Sequence, residues 1–319
     1  MMKKVFFFSI ICALALPLFG VETAASITAD AAIYPEADID QGGGFAGIVG
    51  PYSGAEARVV GDFSFIWPVP FSDNPLVSGN TLTVSAQLEL TPVSVAPAAI
   101  VAFSPIAFLI FNAGGRIGAG WDLDILGVQG LSAYNEAAKE YISPAPFSSF
   151  HYELWFEGIF QFDLAAVLPG DWNHVVMLAT YKAFYEGITS GGENGNPWVW
   201  QGTKDKANGW KYLSSVVLGY QMPLVLQMVA VQAEFEGYFD GNAAYNELYK
   251  SWNPEFMIAS ISPVLNFQFT ENQSLMAQFR FRSRRGYADA SPDIPVLDRT
   301  YEARQWYFDR IALSYTYRF

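Results

Sequence analysis

The residues best suited to chemistry in this sequence are charged side chains that recur at every second position of short segments. The clearest run is "RFRSRRG", which holds Arg280, Arg282 and Arg284. Because successive side chains of a β-strand point to opposite faces, such a run predicts one charged face and one apolar face. The other charged residues singled out in such segments are Arg304, Arg310, Arg318, Glu234, Glu236, Glu153, Glu157, Asp163, Glu89, Arg58 and Asp62.

Catalytic, metal and nucleotide sites receive little support from the sequence. His151 has Glu153 two residues on, and such a pair could act as a general base. "WDLD", with Asp122 and Asp124, offers oxygen ligands, but no loop has the spacing of a calcium site. No glycine-rich phosphate loop leads from a strand into a helix. We therefore predict no catalytic residues, no metal site, no cofactor and no enzymatic activity.

The N-terminus has the pattern of a secretory signal peptide. Lys3 and Lys4 precede an apolar stretch from Val5 to Phe19, and small residues follow. This pattern predicts a signal peptide over residues 1–21, cleaved between 20 and 25. The single cysteine, Cys12, falls inside it, so the mature chain is expected to use no disulfides.

The charge balance is acidic and excludes some partners. The full chain has 18 basic and 31 acidic residues, and loss of Lys3 and Lys4 with the signal peptide makes it more acidic. A negatively charged protein is a poor ligand for nucleic acid or for an anionic membrane surface.

The alternating segments and their connections predict the fold. Tight turns are expected at 168–173, 220–224 and 270–273, and long polar connections at 186–208, 239–254 and 287–302. Short turns at one end and long loops at the other are typical of a membrane β-barrel. We predict an all-β, closed, antiparallel up-and-down barrel over 55–319, with about 12 strands in a range of 10–14. Residues 22–54 would be an N-terminal extension, a plug or a first strand.

One apolar segment leaves an alternative open. Residues 95–111 could form a membrane helix, although Pro97 and Pro105 would interrupt it and its length is short. The preferred interpretation is two strands joined near "SPI". A short helix is also expected between Ser132 and Tyr141.

The C-terminal segment "IALSYTYRF" carries a resemblance to a known class. Ile311, Leu313, Tyr315, Tyr317 and Phe319 alternate with polar or small residues, and the last of them ends the chain. In this respect the sequence resembles the outer-membrane β-barrel proteins of diderm bacteria. The resemblance implies a location in the bacterial outer membrane, contact with its lipid, and an assembly signal read by the barrel assembly machinery.

Three functional hypotheses follow from a barrel with charged inner faces. The first is a narrow porin-like channel for small hydrophilic solutes, with opposed basic and acidic walls in the lumen. The second is a closed barrel that binds a surface ligand, such as a host molecule or a protein, through loops 120–150 and 186–208. Trp198, Trp200 and Trp210 lie in or beside the second loop and could face that ligand or fold back over the barrel. An outer-membrane hydrolase is the third hypothesis.

Overall fold

The computed structural model describes residues 20–35, 54–69, 73, 78–123, 128–145, 147–288 and 298–319. The predicted signal peptide lies outside the described residues except for its last two positions. Asp124 lies outside them as well.

Twelve long strands form one closed antiparallel barrel, which confirms the predicted fold class and strand number. Four further short strands lie in two of the connections. In chain order the strands are β1 (Glu22–Ile33), β2 (Ala55–Pro68), β3 (Thr81–Thr91), β4 (Ser94–Ile106), β5 (Leu109–Gly120), β6 (Leu131–Asn135), β7 (Glu140–Ile142), β8 (His151–Asp163), β9 (Val175–Ile188), β10 (Trp198–Trp200), β11 (Thr203–Lys206), β12 (Gly209–Gln221), β13 (Leu226–Tyr238), β14 (Ile258–Thr270), β15 (Gln273–Tyr287) and β16 (Tyr301–Arg318).

The first and last strands pair with each other and complete the closure. β1 lies antiparallel to β16, from Ser26 opposite Arg318 to Ile33 opposite Ile311. On its other side, β1 pairs with β2 along its whole length. Each barrel strand therefore has a hydrogen-bonded neighbour on both sides, and the sheet has no open edge.

The connections differ in length between the two ends of the barrel. At one end, which we call the turn end, they are 69–80, 107–108, 164–174, 222–225 and 271–272. At the opposite end, the loop end, they are 34–54, 92–93, 121–150, 189–208, 239–257 and 288–300. The two-residue turn at 92–93 departs from the predicted arrangement. The start of β1 and the end of β16 both lie at the turn end.

Among the residues that the structure describes, helices are few and short. They are α1 (Gly241–Ala244) and 3-10 turns at Leu164–Ala166, Glu193–Gly195 and Glu247–Trp252. Within the described ranges, no helix has both the length and the apolar character needed to cross a membrane.

Two local predictions differ in outcome. The segment 95–111 forms parts of β4 and β5, joined by a turn at 107–108, so the strand interpretation is confirmed. The helix expected between Ser132 and Tyr141 is wrong, because β6 and β7 form a hairpin there. The Asn135 side chain accepts hydrogen bonds from the backbone N–H groups of Ala137 and Ala138, which fixes a turn in place of a helix.

The outer face of the barrel is apolar. Leu218 and Val231 lie opposite each other on β12 and β13 and are 58% and 52% exposed. Leu154 and Phe156 on β8 are exposed to a similar degree. A continuous apolar surface around a closed barrel fits hydrocarbon chains and would not be stable in water.

Aromatic side chains mark both borders of this apolar surface. Trp210 and Trp306 lie outside near the loop end, and Tyr317 and Phe319 lie near the turn end, all of them exposed. Such rings are favoured at the boundary between lipid and water. The outer face therefore identifies a barrel of the bacterial outer-membrane class, as predicted.

A charge on the outer face should destabilise the barrel in lipid. We expect Val231→Arg to lower the free energy of unfolding by about 2–4 kcal/mol if the residue lies near the membrane midplane. The matched control is Gln232→Arg, because the next residue of β13 faces the lumen, where an arginine can be hydrated. The measurement is denaturant unfolding of the refolded chain in lipid vesicles. Equal effects of the two substitutions would contradict the assignment of faces.

Candidate functional site

The inner face of the barrel carries nearly all of the charged residues singled out in the sequence. Residues directly opposite each other in a sheet project to the same face, so the register can be followed from strand to strand. The charged residues that it places inside are Arg58, Asp62, Glu89, Glu153, Glu157, Asp163, Glu234, Glu236, Arg280, Arg282, Arg284, Arg310 and Arg318.

Arg304 is the exception, because it is the one charged residue singled out in the sequence that the register does not place on the face of Arg310. Arg310 lies opposite Arg280, but Arg304 lies opposite Arg285, on the other face. The register shifts next to Arg310 because Asp309 is an extra residue in β16. Such a β-bulge reverses the inward and outward positions beyond it, and alternation in the sequence does not predict where a bulge occurs.

The half of the lumen nearer the loop end carries a ring of charges, which we call the charge belt. Acidic and basic groups are interspersed around it, so most strands place a charge beside one of opposite sign. Its members are Asp30, Glu56, Arg58, Glu89, Arg116, Glu153, Lys182, Glu186, Lys211, Glu236, Arg280, Arg282, Asp309 and Arg310, with Lys206 reaching in from β11.

The contacts within the charge belt are close. Arg58 Nη2 lies 2.6 Å from Asp30 Oδ2. Lys211 Nζ lies 2.6 Å from Glu236 Oε1 and 3.0 Å from Glu186 Oε1, and so joins two carboxylates. Charges withdrawn from bulk water need such partners, because unpaired charges are costly there.

The predicted basic wall on β15 and β16 is neutralised by these contacts. Arg280 contacts Asp309, Arg282 Nη2 lies 3.5 Å from Glu236 Oε2, and Arg310 Nη1 lies 2.8 Å from the nearer oxygen of Glu56. Separate basic and acidic walls are therefore not present at the level of the charge belt. The bulge residue Asp309 and the neighbouring strands supply the carboxylates that sequence spacing did not reveal.

Several of the lumen side chains retain contact with solvent. The side chain of Arg58 is 48% exposed, and those of Glu236 and Arg116 are 31% and 28% exposed, although all three point inward. A barrel filled by packed side chains would bury them. The interior therefore contains accessible space around the charge belt.

A small sheet covers the lumen at the loop end. Strands β11, β10, β6 and β7 pair in that order, and we call this four-stranded sheet the lid. Its central strand β10 is buried: Trp198 and Val199 are fully buried and Trp200 is 6% exposed. The alternative of exposed loop tryptophans is thus wrong for Trp198 and Trp200. Trp210 lies in β12 on the outer face.

Polar and aromatic contacts attach the lid to the barrel wall. The Trp200 ring stacks on His151 with ring centroids 4.5 Å apart. Gln201 Nε2 donates to Glu89 Oε1 at 2.7 Å, and Lys206 Nζ lies 3.1 Å from Glu186 Oε2. The lid thus shares two carboxylates with the charge belt.

The connection 239–257 supports the lid from a second side. Tyr245, Tyr249 and Trp252 are buried and pack with Tyr134 of β6. The Tyr245 hydroxyl donates to the backbone carbonyl of Asp205 at 2.6 Å. Residues of three loop-end connections therefore form one packed unit over the lumen.

The histidines do not form the site considered in the sequence. His151 is 1% exposed, enclosed between the wall and the lid, and its Nε2 lies 3.7 Å from Glu186 Oε2. A substrate has no access to it while the lid is in place. His174 Nδ1 lies 2.6 Å from Asp163 Oδ2 at the turn end. Within the described ranges, no three His, Cys, Asp or Glu side chains are placed to hold a metal ion.

Sequence reasoning missed several members of the charge belt. Lys182 and Glu186 alternate in "TYKAFYEGI", so the same period would have found them. Lys211 lies directly after a loop, near the start of β12. Asp309 does not fall on the every-second-residue pattern of the inward side chains of β16, because it is the bulge residue. Their pairing across strands depends on the register, which a single sequence does not give.

Comparisons with known proteins agree with the fold. No known family profile and no curated protein matches the chain significantly. Among solved structures, the KdgM porin is 9% identical, with 92% of this chain and 99% of that chain covered and a TM-score of 0.36. The β-domain of the Bordetella autotransporter BrkA is 9% identical, with 93% and 100% covered and a TM-score of 0.43. The Salmonella typhi outer membrane phospholipase is 12% identical, with 95% and 93% covered and a TM-score of 0.34.

These similarities are low, and they concern the barrel alone. They nevertheless correct the prediction that the chain has no enzymatic activity. A phospholipase stands beside a porin and an autotransporter β-domain among the similar structures, so the barrel pattern does not separate enzymes from channels.

Docking of the lid should depend on the absence of a side chain at Gly118. A Cβ there would lie 2.5 Å from the Trp200 ring. We expect Gly118→Val to weaken docking of the lid by about 1–3 kcal/mol, as overpacking does. The matched control is Gly61→Val, because nothing lies within 4 Å of a Cβ at Gly61. Acrylamide quenching of tryptophan fluorescence should rise for Gly118→Val only. Equal quenching in both variants would contradict this packing.

The lid should also loosen as the pH rises. Burial raises the pKa of the Asp205 carboxyl above its usual range, while the hydrogen bond from Tyr141 and the nearby Arg285 and Lys204 oppose the shift. A carboxyl that binds its proton more tightly in the folded state makes that state less stable as pH rises from the ordinary aspartate range through the raised pKa.

We expect Asp205→Asn to flatten this pH dependence, because an amide does not ionise and still accepts from Tyr141. The measurement is hydrogen exchange of the β10 and β11 amides against pH, corrected for the intrinsic exchange rate. Asp171→Asn, at an exposed position of the turn end, serves as the control. An unchanged pH profile in Asp205→Asn would exclude this carboxyl as the cause.

Proposed function

We propose that the chain forms a narrow channel in the bacterial outer membrane for small hydrophilic solutes. The observation that carries this proposal is the solvent exposure of charged side chains inside the closed barrel, above all the 48% exposure of Arg58. Hydrated charged groups along a lumen are what a water-filled passage requires, and they are out of place in an interior packed with side chains.

The lid sets a condition on passage. Because Trp198, Val199 and Trp200 are buried over the lumen, solutes pass only when the lid moves or leaves a gap beside it. The lid is attached through a few side-chain contacts to Glu89, His151 and Glu186, in addition to its packing. Movement of the lid is compatible with an unchanged barrel, since a small unit held by few contacts opens more easily than the continuous strand pairing of the barrel.

The proposal includes the route to the membrane. Residues 1–21 act as the signal peptide, residues 22–54 contribute the first strand, and residues 55–319 form the rest of the barrel. Phe319, with Tyr317, Tyr315, Leu313 and Ile311, acts as the signal for the barrel assembly machinery. The loop end faces outward, and the turn end faces the periplasm.

A second candidate function is a closed barrel that binds a partner. The buried lid favours it, because a lid that never moves would leave loops 120–150 and 186–208 as the functional surface.

Single-channel recording separates the two candidates. The mature chain, refolded into a planar bilayer, should give ohmic conductance steps. A variant with residues 198–206 replaced by a short glycine linker should give larger or more frequent steps, because the lid then lacks β10 and β11. Circular dichroism of the same samples controls for folding. Folded and inserted protein that gives no steps in either form would contradict the channel and favour the closed barrel.

A further inference from the structure

Most of the charged groups of the lumen fall into two sets that differ in their partners. In the charge belt, eight cations face seven carboxylates, and each of those cations has a carboxylate oxygen within 4.0 Å. The belt is therefore close to neutral, and little of its charge acts on a passing solute.

The second set consists of Asp62, Glu157 and Glu234, which we call the free carboxylates. They lie inside the barrel on β2, β8 and β13, so they surround the lumen from different sides. Each is two to four residues closer to the turn end than the belt carboxylate or arginine of its own strand, which is about 7–13 Å along the strand at the usual rise. They form a separate level below the belt.

Neutral groups donate to the first two free carboxylates. Asp62 accepts hydrogen bonds from the Ser64 hydroxyl at 2.8 Å and from the Gln87 amide at 3.0 Å. Glu157 accepts from Asn112 Nδ2 at 2.9 Å. These donors hold the carboxylates in position and add no positive charge.

Glu234 has the same kind of surroundings. Its two oxygens accept from Gln232 Nε2 at 3.0 Å and from the Ser260 hydroxyl at 3.1 Å. Among the side chains that the structure describes, no lysine, arginine or histidine nitrogen lies within 4.0 Å of any of the three free carboxylates.

Lys182 is the cation directly opposite a free carboxylate, since it faces Glu157 in the register. Its amino group contacts Glu153 instead, and it lies 4.7 Å from the centre of the Trp155 ring and 5.0 Å from that of Phe184. Lys182 is thus drawn toward the loop end and leaves the negative charge of Glu157 uncompensated.

The free carboxylates lie inside the lumen, where their electric field acts on a passing solute. A lumen with low-dielectric walls focuses the field of its charges, and three negative charges around one level attract cations and repel anions. At the turn-end rim, Asp163 and Arg318 have opposite signs and are open to solvent, so they add little.

From these contacts we infer that the channel selects small cations, inorganic or protonated amines, and that Asp62, Glu157 and Glu234 impose this selectivity. The inference rests on the proposed channel function. The lumen thus has a nearly neutral charge belt with a level of negative charge beneath it, and not the two opposed basic and acidic walls expected from the sequence.

The test is the reversal potential of the refolded chain in a planar bilayer under a potassium chloride gradient. The unsubstituted protein should favour potassium over chloride. The triple variant Asp62→Asn, Glu157→Gln and Glu234→Gln should keep its conductance steps, while the permeability ratio falls about threefold or more toward unity. Selectivity of the unsubstituted protein should also weaken in high salt, because salt screens the lumen charges.

The matched control is Asp73→Asn, Asp171→Asn and Glu271→Gln, which changes the net charge equally at exposed positions of the turn-end connections. Its permeability ratio should equal that of the unsubstituted protein. Conducting steps that favour chloride, or an equal ratio in the triple variant and the unsubstituted protein, would overturn the cation inference and leave the channel intact. Absence of steps in folded, inserted protein would overturn the channel and with it this inference.

Discussion

The pairing of β1 with β16 is the constraint on which the rest of the structure depends. In hydrocarbon every backbone N–H and C=O of a spanning strand must be paired, and only closure of the sheet achieves this. Closure also fixes the faces, because a slip of one residue would turn every inward charge toward lipid. The apolar outer surface and the charged lumen are therefore two consequences of one register.

Once the faces are fixed, the lumen must accommodate the charges that the register sends inside. Pairing solves most of this problem: Lys211 joins Glu186 and Glu236, and the bulge at Asp309 brings a carboxylate to Arg280. The lid uses the same groups, since Lys206 of β11 also contacts Glu186. Stability of the belt and attachment of the lid are thus coupled through shared carboxylates.

The sequence was sufficient for the barrel and its strand number, because alternation with period two directly reports the two faces of a strand. It pointed to only part of the charge belt, since Lys182, Glu186 and Lys211 were not singled out. It failed at Arg304, where a bulge reverses the parity, and over 132–141, where a hairpin replaces the expected helix. The burial of Trp198 in the lid depends on packing against Ala96, Leu131 and Ile188, which are distant from it in the sequence. Such contacts are set by packing, and the composition of a loop does not reveal them.

The central claim is that water fills the lumen below the lid while lipid surrounds the barrel. Cysteine accessibility tests it most directly, in a chain without Cys12. Ser85 faces the lumen on β3, and the adjacent Val84 faces outward. In refolded protein in vesicles, a small charged thiol reagent should modify the cysteine of Ser85→Cys and leave that of Val84→Cys unmodified. An unreactive Ser85→Cys in the folded barrel would contradict the account, because it would mean that the interior is closed to water.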